Sequence, residues 1–415
     1  MKSFATLFFL FACSAAAVAQ AQYPLMWDKT STTVVGAGNL LTLHKGIYTL
    51  EDRYLKAKWF REEGAFRRSA GVVYRLSKTA LLDFTIDHYL FLIQHEIYGH
   101  GAGFREYGYR KNSYSLHPPP PYGKGNGWAS SGRLQTAGRH ITLDEHTRIY
   151  INGSEANTVM ANALRLRWLQ KGKMDCREAL LYLHISNDLT AYILSTSTDS
   201  PSGSDILNFL RNMNGKHGYL RFDRYKLKIS KLKKQVLINF ANPYQFFALY
   251  TYFKTCLWSA ERESTFPMIN WKVKYLPAFR LGLTPFGSEY YFENFLVHSG
   301  RAMNLSVRYG DPTFHRFWGL GFRGYNLLTH KKLSVHASGD LWNQPSLSLG
   351  GIRTATETKK GFGGAASVTA FFPVTRRFSS LQLTGQIGYK TAGFLEGERL
   401  SGGMIGRFGL SFVSL

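Results

Sequence analysis

Met303-Asn-Leu-Ser-Val-Arg-Tyr309 alternates residue by residue, with Met, Leu, Val and Tyr on one side and Asn, Ser and Arg on the other. A period of two is that of a β-strand, whose successive side chains point to opposite faces. The pattern recurs in Phe279-Arg-Leu-Gly-Leu283, in Phe317 to Phe322 and in Leu333-Ser-Val335. It appears again in Leu381 to Tyr389 and Phe408-Gly-Leu-Ser-Phe412, with Gly, Asn, Asp and basic turns between the segments. About eight such segments predict an antiparallel β-domain over 266–415. The preceding 22–265 reads as mostly helical, so the chain is expected to be α+β, and its length suits two domains.

Within the helical half, Thr79 to Tyr98 reads as a buried helix and Gly101 to Gly138 as a long loop, either a lid or a plain connection. Asn152-Gly-Ser154 reads as a helix start, with Glu155 in the first turn and a strong helix former from Ala156 to Leu169. A further helix covers Arg177 to Ser195, followed by a Ser/Asp/Pro/Gly loop over Thr196–Ser204. Lys226, Lys228, Lys231, Lys233 and Lys234 interleave with Leu227, Ile229 and Leu232, which predicts an edge strand or an amphipathic segment. Val236 to Ala260 is apolar and broken by Asn242-Pro243, as in a buried or interfacial helix pair.

The chemistry lies in Phe91-Leu-Ile-Gln-His-Glu-Ile-Tyr-Gly-His-Gly101. Two imidazoles with a carboxylate beside the first are the parts of a zinc hydrolase: His95 and His100 hold the metal and Glu96 takes a proton from water. The usual spacing of the two histidines is four. At five, a regular helix separates them by about 140°; a one-residue π-bulge restores a common face, and Gly99 sits where the backbone would deform. Glu155 is the expected third ligand, because a helix entering from a loop can aim its carboxylate at a neighbouring helix; His140, His146 and Asp188 are the alternatives. Asp188, Asp87 or His88 could orient a ligand histidine, and Tyr192 or His184 could stabilise an oxyanion.

This motif resembles the H-E-L-L-G-H signature of the dipeptidyl peptidase III family over about six residues. The resemblance implies that His95 and His100 bind zinc, that Glu96 is the general base, and that a Glu on a later helix completes the site. That family's later motif carries Cys and Arg, which Ser154-Glu-Ala-Asn157 lacks. The β-rich segments, with Gly and Ser on one face and apolar residues on the other, follow the pattern of a transmembrane β-barrel. The strand ending at Leu415 resembles the last strand of bacterial outer-membrane proteins. A small closed barrel is therefore expected, with a soluble β-sandwich as the alternative.

Residues 1–21, with Lys2, an apolar run from Phe4 to Val18 and an A-x-A site, read as a secretory signal peptide. Export leaves Cys176 and Cys256, which could form a disulfide or stay as thiols. The formal charge of +24 in an exported chain points to anionic partners such as a membrane surface or lipopolysaccharide, and the address disfavours nucleic acid. The expected activity is zinc-dependent hydrolysis of a peptide, or of an amide in an envelope polymer or lipid. The rival expectations are a non-enzymatic outer-membrane protein with a periplasmic binding domain, and a purely structural zinc site.

Overall fold

The computed structural model describes residues 21–54, 65–136, 138–199, 203–259, 261–270, 272–330, 333–352, 354–374 and 380–413. The expected signal segment, apart from residue 21, and Lys56, Lys58 and Arg61 lie outside these residues. So does the side chain of Cys256, and with it the question of a disulfide to Cys176, which is buried.

The first element is a strand, β1 (Gln22–Trp27), followed by α1 (Thr33–Tyr54) and α2 (Ala65–Lys78). From Thr79 the chain stays helical through a π-helical turn (Thr79–Asp83), α3 (Phe84–Leu92), a second π-helical stretch (Ile93–His100) and α4 (Gly101–Glu106). The expected loop after residue 100 therefore starts one helix later, and it contains the hairpin β2 (Ser113–Leu116) and β3 (Gly127–Ser130). Helix α5 (Leu143–Lys171) begins well upstream of Asn152. Thr142 accepts a hydrogen bond from the Glu145 N–H while Glu145 accepts one from the Thr142 N–H, a reciprocal cap that outweighs the Asn-Gly-Ser signal. Next come α6 (Cys176–Ser186), α7 (Asp188–Ser195) and α8 (Asp205–Lys216). The lysine-rich segment forms a helix, α9 (Ile229–Val236), rather than an edge strand. A 3-10 turn (Leu237–Ala241) leads to α10 (Pro243–Tyr250), capped by Asn242, and to a third π-helical stretch (Thr251–Trp258).

The β-half contributes β4 (Ile269–Asn270), β5 (Lys274–Thr284), β6 (Gly287–His298), β7 (Arg301–Gly310), β8 (Trp318–His330) and β9 (Leu333–Gln344), then β10 (Gly361–Pro373), β11 (Leu381–Lys390) and β12 (Gly403–Val413). Together with β1 they form one ten-stranded antiparallel sheet in the order β1-β12-β11-β10-β9-β8-β7-β6-β5-β4. The sheet is open. Its two end strands do not pair, so the expected closed barrel is not formed. Helices occupy both edges instead. Asn39 of α1 accepts from the Met26 N–H (2.7 Å) and donates to the Met26 carbonyl (2.9 Å), and Thr42 donates to the Pro24 carbonyl. At the other side, Asn239 accepts from the Leu281 N–H of β5 at 2.7 Å.

Alternation places apolar residues on the outer face of this sheet and polar ones on the inner face. In β7, Leu305, Val307 and Tyr309 are exposed while Asn304 and Arg308 are buried; in β12, Phe408 is exposed and Arg407 buried. The inner face carries ion pairs: Arg280 with Glu293 (3.1 Å) and Glu396 (2.7 Å), Arg165 of α5 with Glu293 (2.8 Å), and Arg323 with Asp340 (2.6 Å). A cavity of about 290 Å³ remains between α1, α5 and this face. The apolar core is shared: Trp168 and Tyr182 from the helices pack in one cluster with Leu276, Phe295 and Ala302 from the sheet. The change near residue 266 is one of element type and not of core.

Candidate metal centre

The π-helical stretch is what makes the histidine spacing work. Its hydrogen bonds run from i to i+5, so His95 and His100 fall one step apart on the same side, with ring centroids 5.0 Å apart. Gly99 lies in this π-helical stretch, as expected, and has a second role. A Cβ there would lie 2.7 Å from Gly153 Cα and 2.8 Å from the Asn152 carbonyl oxygen, so Gly99 lets α5 cross in backbone contact. Gly103 repeats this one turn later, against the Asn152 amide at 2.7 Å.

That crossing brings Gly153 under both rings. A Cβ on Gly153 would collide with His95 Nε2 and come within 2.7 Å of His100 Nε2. The two nitrogens thus converge on a small space that only glycine keeps clear. Each ring is held from behind through its other nitrogen. His95 Nδ1 lies 3.0 Å from Asp188 Oδ2, which also accepts from Asn157 at 3.0 Å, and His100 Nδ1 lies 2.8 Å from the Ile149 carbonyl. With Nδ1–H donating in both cases, loss of the Nε2 protons would leave both lone pairs facing the space above Gly153, the arrangement found at histidine metal sites.

The third group is Asp205, the first residue of α8, whose Oδ2 is 3.3 Å from His100 Nε2. Donor atoms of His95, His100 and Asp205 all lie within 4.8 Å of one another and could hold a metal ion. Tetrahedral zinc, with bonds near 2.0–2.1 Å, separates its ligand atoms by about 3.3 Å. The His100–Asp205 pair already has that spacing. Tyr192 lies behind Asp205: its hydroxyl accepts from the Asp205 N–H at 2.9 Å and is 3.3 Å from Oδ2.

Glu155 lies elsewhere. Buried mid-helix in α5, it pairs with Arg148 and accepts from the Gly397 N–H at 2.6 Å, tying the β11–β12 loop to the helix. It was expected as a ligand because Asn152-Gly-Ser154 reads as the point where a helix enters from a loop. Asp205 meets that criterion: it opens a helix directly after the Thr196–Ser204 loop. Asp188, an alternative third ligand, instead orients His95. His140 and His146 are not in the group. Asp87 pairs with His44 of α1 at 3.2 Å. His184 packs among Phe84, His88 and Phe91, where burial pushes it down to about 4. Gly153 was missed, although its Asn-Gly-Ser context was the visible sign of an unusual helix position.

Glu96 is buried, and among the described residues it makes no hydrogen bond or ion pair. A Cβ on Gly127 of β3 would lie 3.0 Å from its Oε1, so the hairpin covers it. Burial raises its pKa despite the opposing pull of the two imidazoles. Burial alone would lower His100, yet Asp205 beside it lifts it to about 9; Asp188 likewise outweighs burial at His95 and raises it. Asp188 is held below its usual range because His95 and the hydrogen bonds it accepts outweigh burial. Burial and the Asp205 charge raise Tyr192, which keeps its hydroxyl proton at neutral pH.

No family model, curated protein or solved structure matches the chain.

Proposed function

We propose that this protein is a zinc-dependent hydrolase of the bacterial cell envelope, most directly a metallopeptidase. The observation that carries the reading is the convergence of His95 and His100 Nε2 over Gly153, with Asp205 at hydrogen-bond distance and the unpaired carboxylate of Glu96 adjacent in sequence. Zinc bound there would supply Lewis acidity toward a carbonyl and toward water. His95, His100 and Asp205 would provide three protein ligands, the number that leaves a catalytic position open. Glu96, buried and with a raised pKa, would accept the proton from water and pass it to the leaving amine. Asp188 and the Ile149 carbonyl fix the ring tautomers, and Tyr192 holds the Asp205 carboxylate. The hairpin β2–β3 would shield the reacting groups from bulk water.

The test is metal content by mass spectrometry together with hydrolysis of a peptide library, on wild type, His95→Ala, Asp205→Ala and Glu96→Gln. About one zinc in wild type and Glu96→Gln, little in the other two, and turnover by wild type alone is the expected result. A wild type that takes up no zinc when it is supplied refutes the reading.

A further inference from the structure

The open sheet leaves two questions: what faces its apolar outer surface, and what closes the gap between β1 and β5. Phe292, Val307, Leu341, Ile387 and Phe408, from five different strands, all stand exposed on that surface. Monomeric water-soluble proteins rarely expose a continuous apolar area of this extent. Ion pairs on the inside and hydrocarbon on the outside invert the order of a soluble sheet and match that of a sheet in lipid.

The helices continue this surface around the gap. Beside β1, α1 exposes Leu43 and Leu50; beside β5, the 3-10 turn exposes Leu237 and Phe240. Further round, α10 and the π-helical stretch after it expose Phe246 and Phe253, the latter at 58%. The remaining elements are joined by side chains as well. Lys78 at the end of α2 pairs with Glu51 of α1 at 3.1 Å, and Arg75 of α2 donates to the Leu257 carbonyl at 3.0 Å. The ring therefore runs from β5 through the sheet to β1, then α1, α2, the last π-helical stretch, α10 and back to β5.

We infer that the bilayer's acyl chains cover this whole ring, and that helices stand in for the strands an ordinary barrel would need. Hydrocarbon tolerates no open sheet edge, because an unpaired backbone group there has no water to bond. Asn39, Thr42 and Asn239 supply partners at those edges. The helices satisfy their own backbone groups, so none needs to be a membrane span by itself; no helix among the described residues is long and apolar enough to cross a membrane. Lys233 and Lys234 of α9 lie four and three residues before Leu237, which sets cationic side chains at the border of the ring where anionic headgroups would lie. The inference does not rest on the metal reading.

Nitroxide accessibility tests it. The full chain, with its three cysteines changed to serine and single cysteines placed at Leu341, Ile387, Leu50, Phe253 or Tyr122, is labelled and reconstituted in phosphatidylcholine–phosphatidylglycerol vesicles. Labels at Leu341, Ile387, Leu50 and Phe253 should be relaxed by oxygen and shielded from a water-soluble nickel complex, with the reverse at Tyr122. Nickel access at Leu50 and Phe253 would put the helices in water and overturn the inference. Shielding from both reagents would overturn it by showing a protein partner or a second copy. Unlabelled protein gives a second reading: lipids brominated on the acyl chain should quench its fluorescence, and Trp258→Phe should remove part of the quenchable signal. An unchanged quenchable fraction counts against lipid contact.

Discussion

His95 Nδ1 and Asp188 Oδ2 stand 3.0 Å apart, in a buried contact between a π-helical turn and the first residue of a separate helix. Asn157 from α5 shares the same carboxylate oxygen, so three helices meet on one hydrogen-bonded group. Asp188→Asn keeps the shape and loses the charge. Zinc affinity measured by chelator competition should fall by about 10–100-fold while the circular dichroism spectrum is kept.

Gly153→Ala fills the space between the two imidazoles, pressing a methyl against both Nε2 atoms while leaving every proposed ligand residue in the chain. Zinc binding should be lost by at least the same factor, with little change in secondary structure. Gly99→Ala pushes on backbone instead of side chain. It should cost about 1–3 kcal/mol of stability, read as a lower unfolding midpoint of the metal-free protein.

Asp205→Ala and Glu155→Ala separate ligand from scaffold. The first should abolish metal binding and lower the unfolding midpoint of the metal-free protein at neutral pH, because His100 loses the carboxylate that keeps it charged. The second should leave metal stoichiometry intact but strand Arg148 as a buried unpaired cation, costing about 3–5 kcal/mol. Normal zinc content in Asp205→Ala would remove Asp205 from the ligand set.

His217, on the loop after α8, stacks on Phe314 with centroids 4.2 Å apart and lies close to His315. Burial, then His315, Lys216 and Lys226, push its pKa down to about 4. A depressed histidine is neutral in the fold, so its contribution is fully present above the unfolded pKa of about 6.5 and is lost as pH falls toward 4. After allowance for solvent screening this amounts to about 1 kcal/mol. Wild-type stability should therefore drop more steeply between pH 7 and 4 than that of His217→Phe, measured by chemical unfolding at fixed ionic strength.

Strand positions were readable because a period of two survives in any context: the segments around 279–283, 303–309, 381–389 and 408–412 all lie within strands. β6 was missed because Tyr290-Tyr291-Phe292 interrupts the alternation, and β1 because its partner β12 lies at the far end of the chain. The π-helical correction of the histidine spacing could be reasoned from chemistry, since two ligands five apart require it. Asp205 could not, because nothing in 200–210 tells which of several helix starts faces the histidines. Glu155 was misread for a related reason: Asn-Gly-Ser is a turn signal until two imidazoles need the room that a glycine leaves.

β1 pairs with β12 from Gln22 opposite Val413 to Trp27 opposite Phe408, so this ladder joins residues separated by nearly the full length of the chain. Loop-closure entropy makes such a contact one of the last to form, and the α1 side chains that cap β1 cannot seal an edge that does not yet exist. Synthesis of β12 is thus the event that allows the N-terminal strand to settle. Until then the free edge of β11 and the apolar outer face of the sheet stand exposed together.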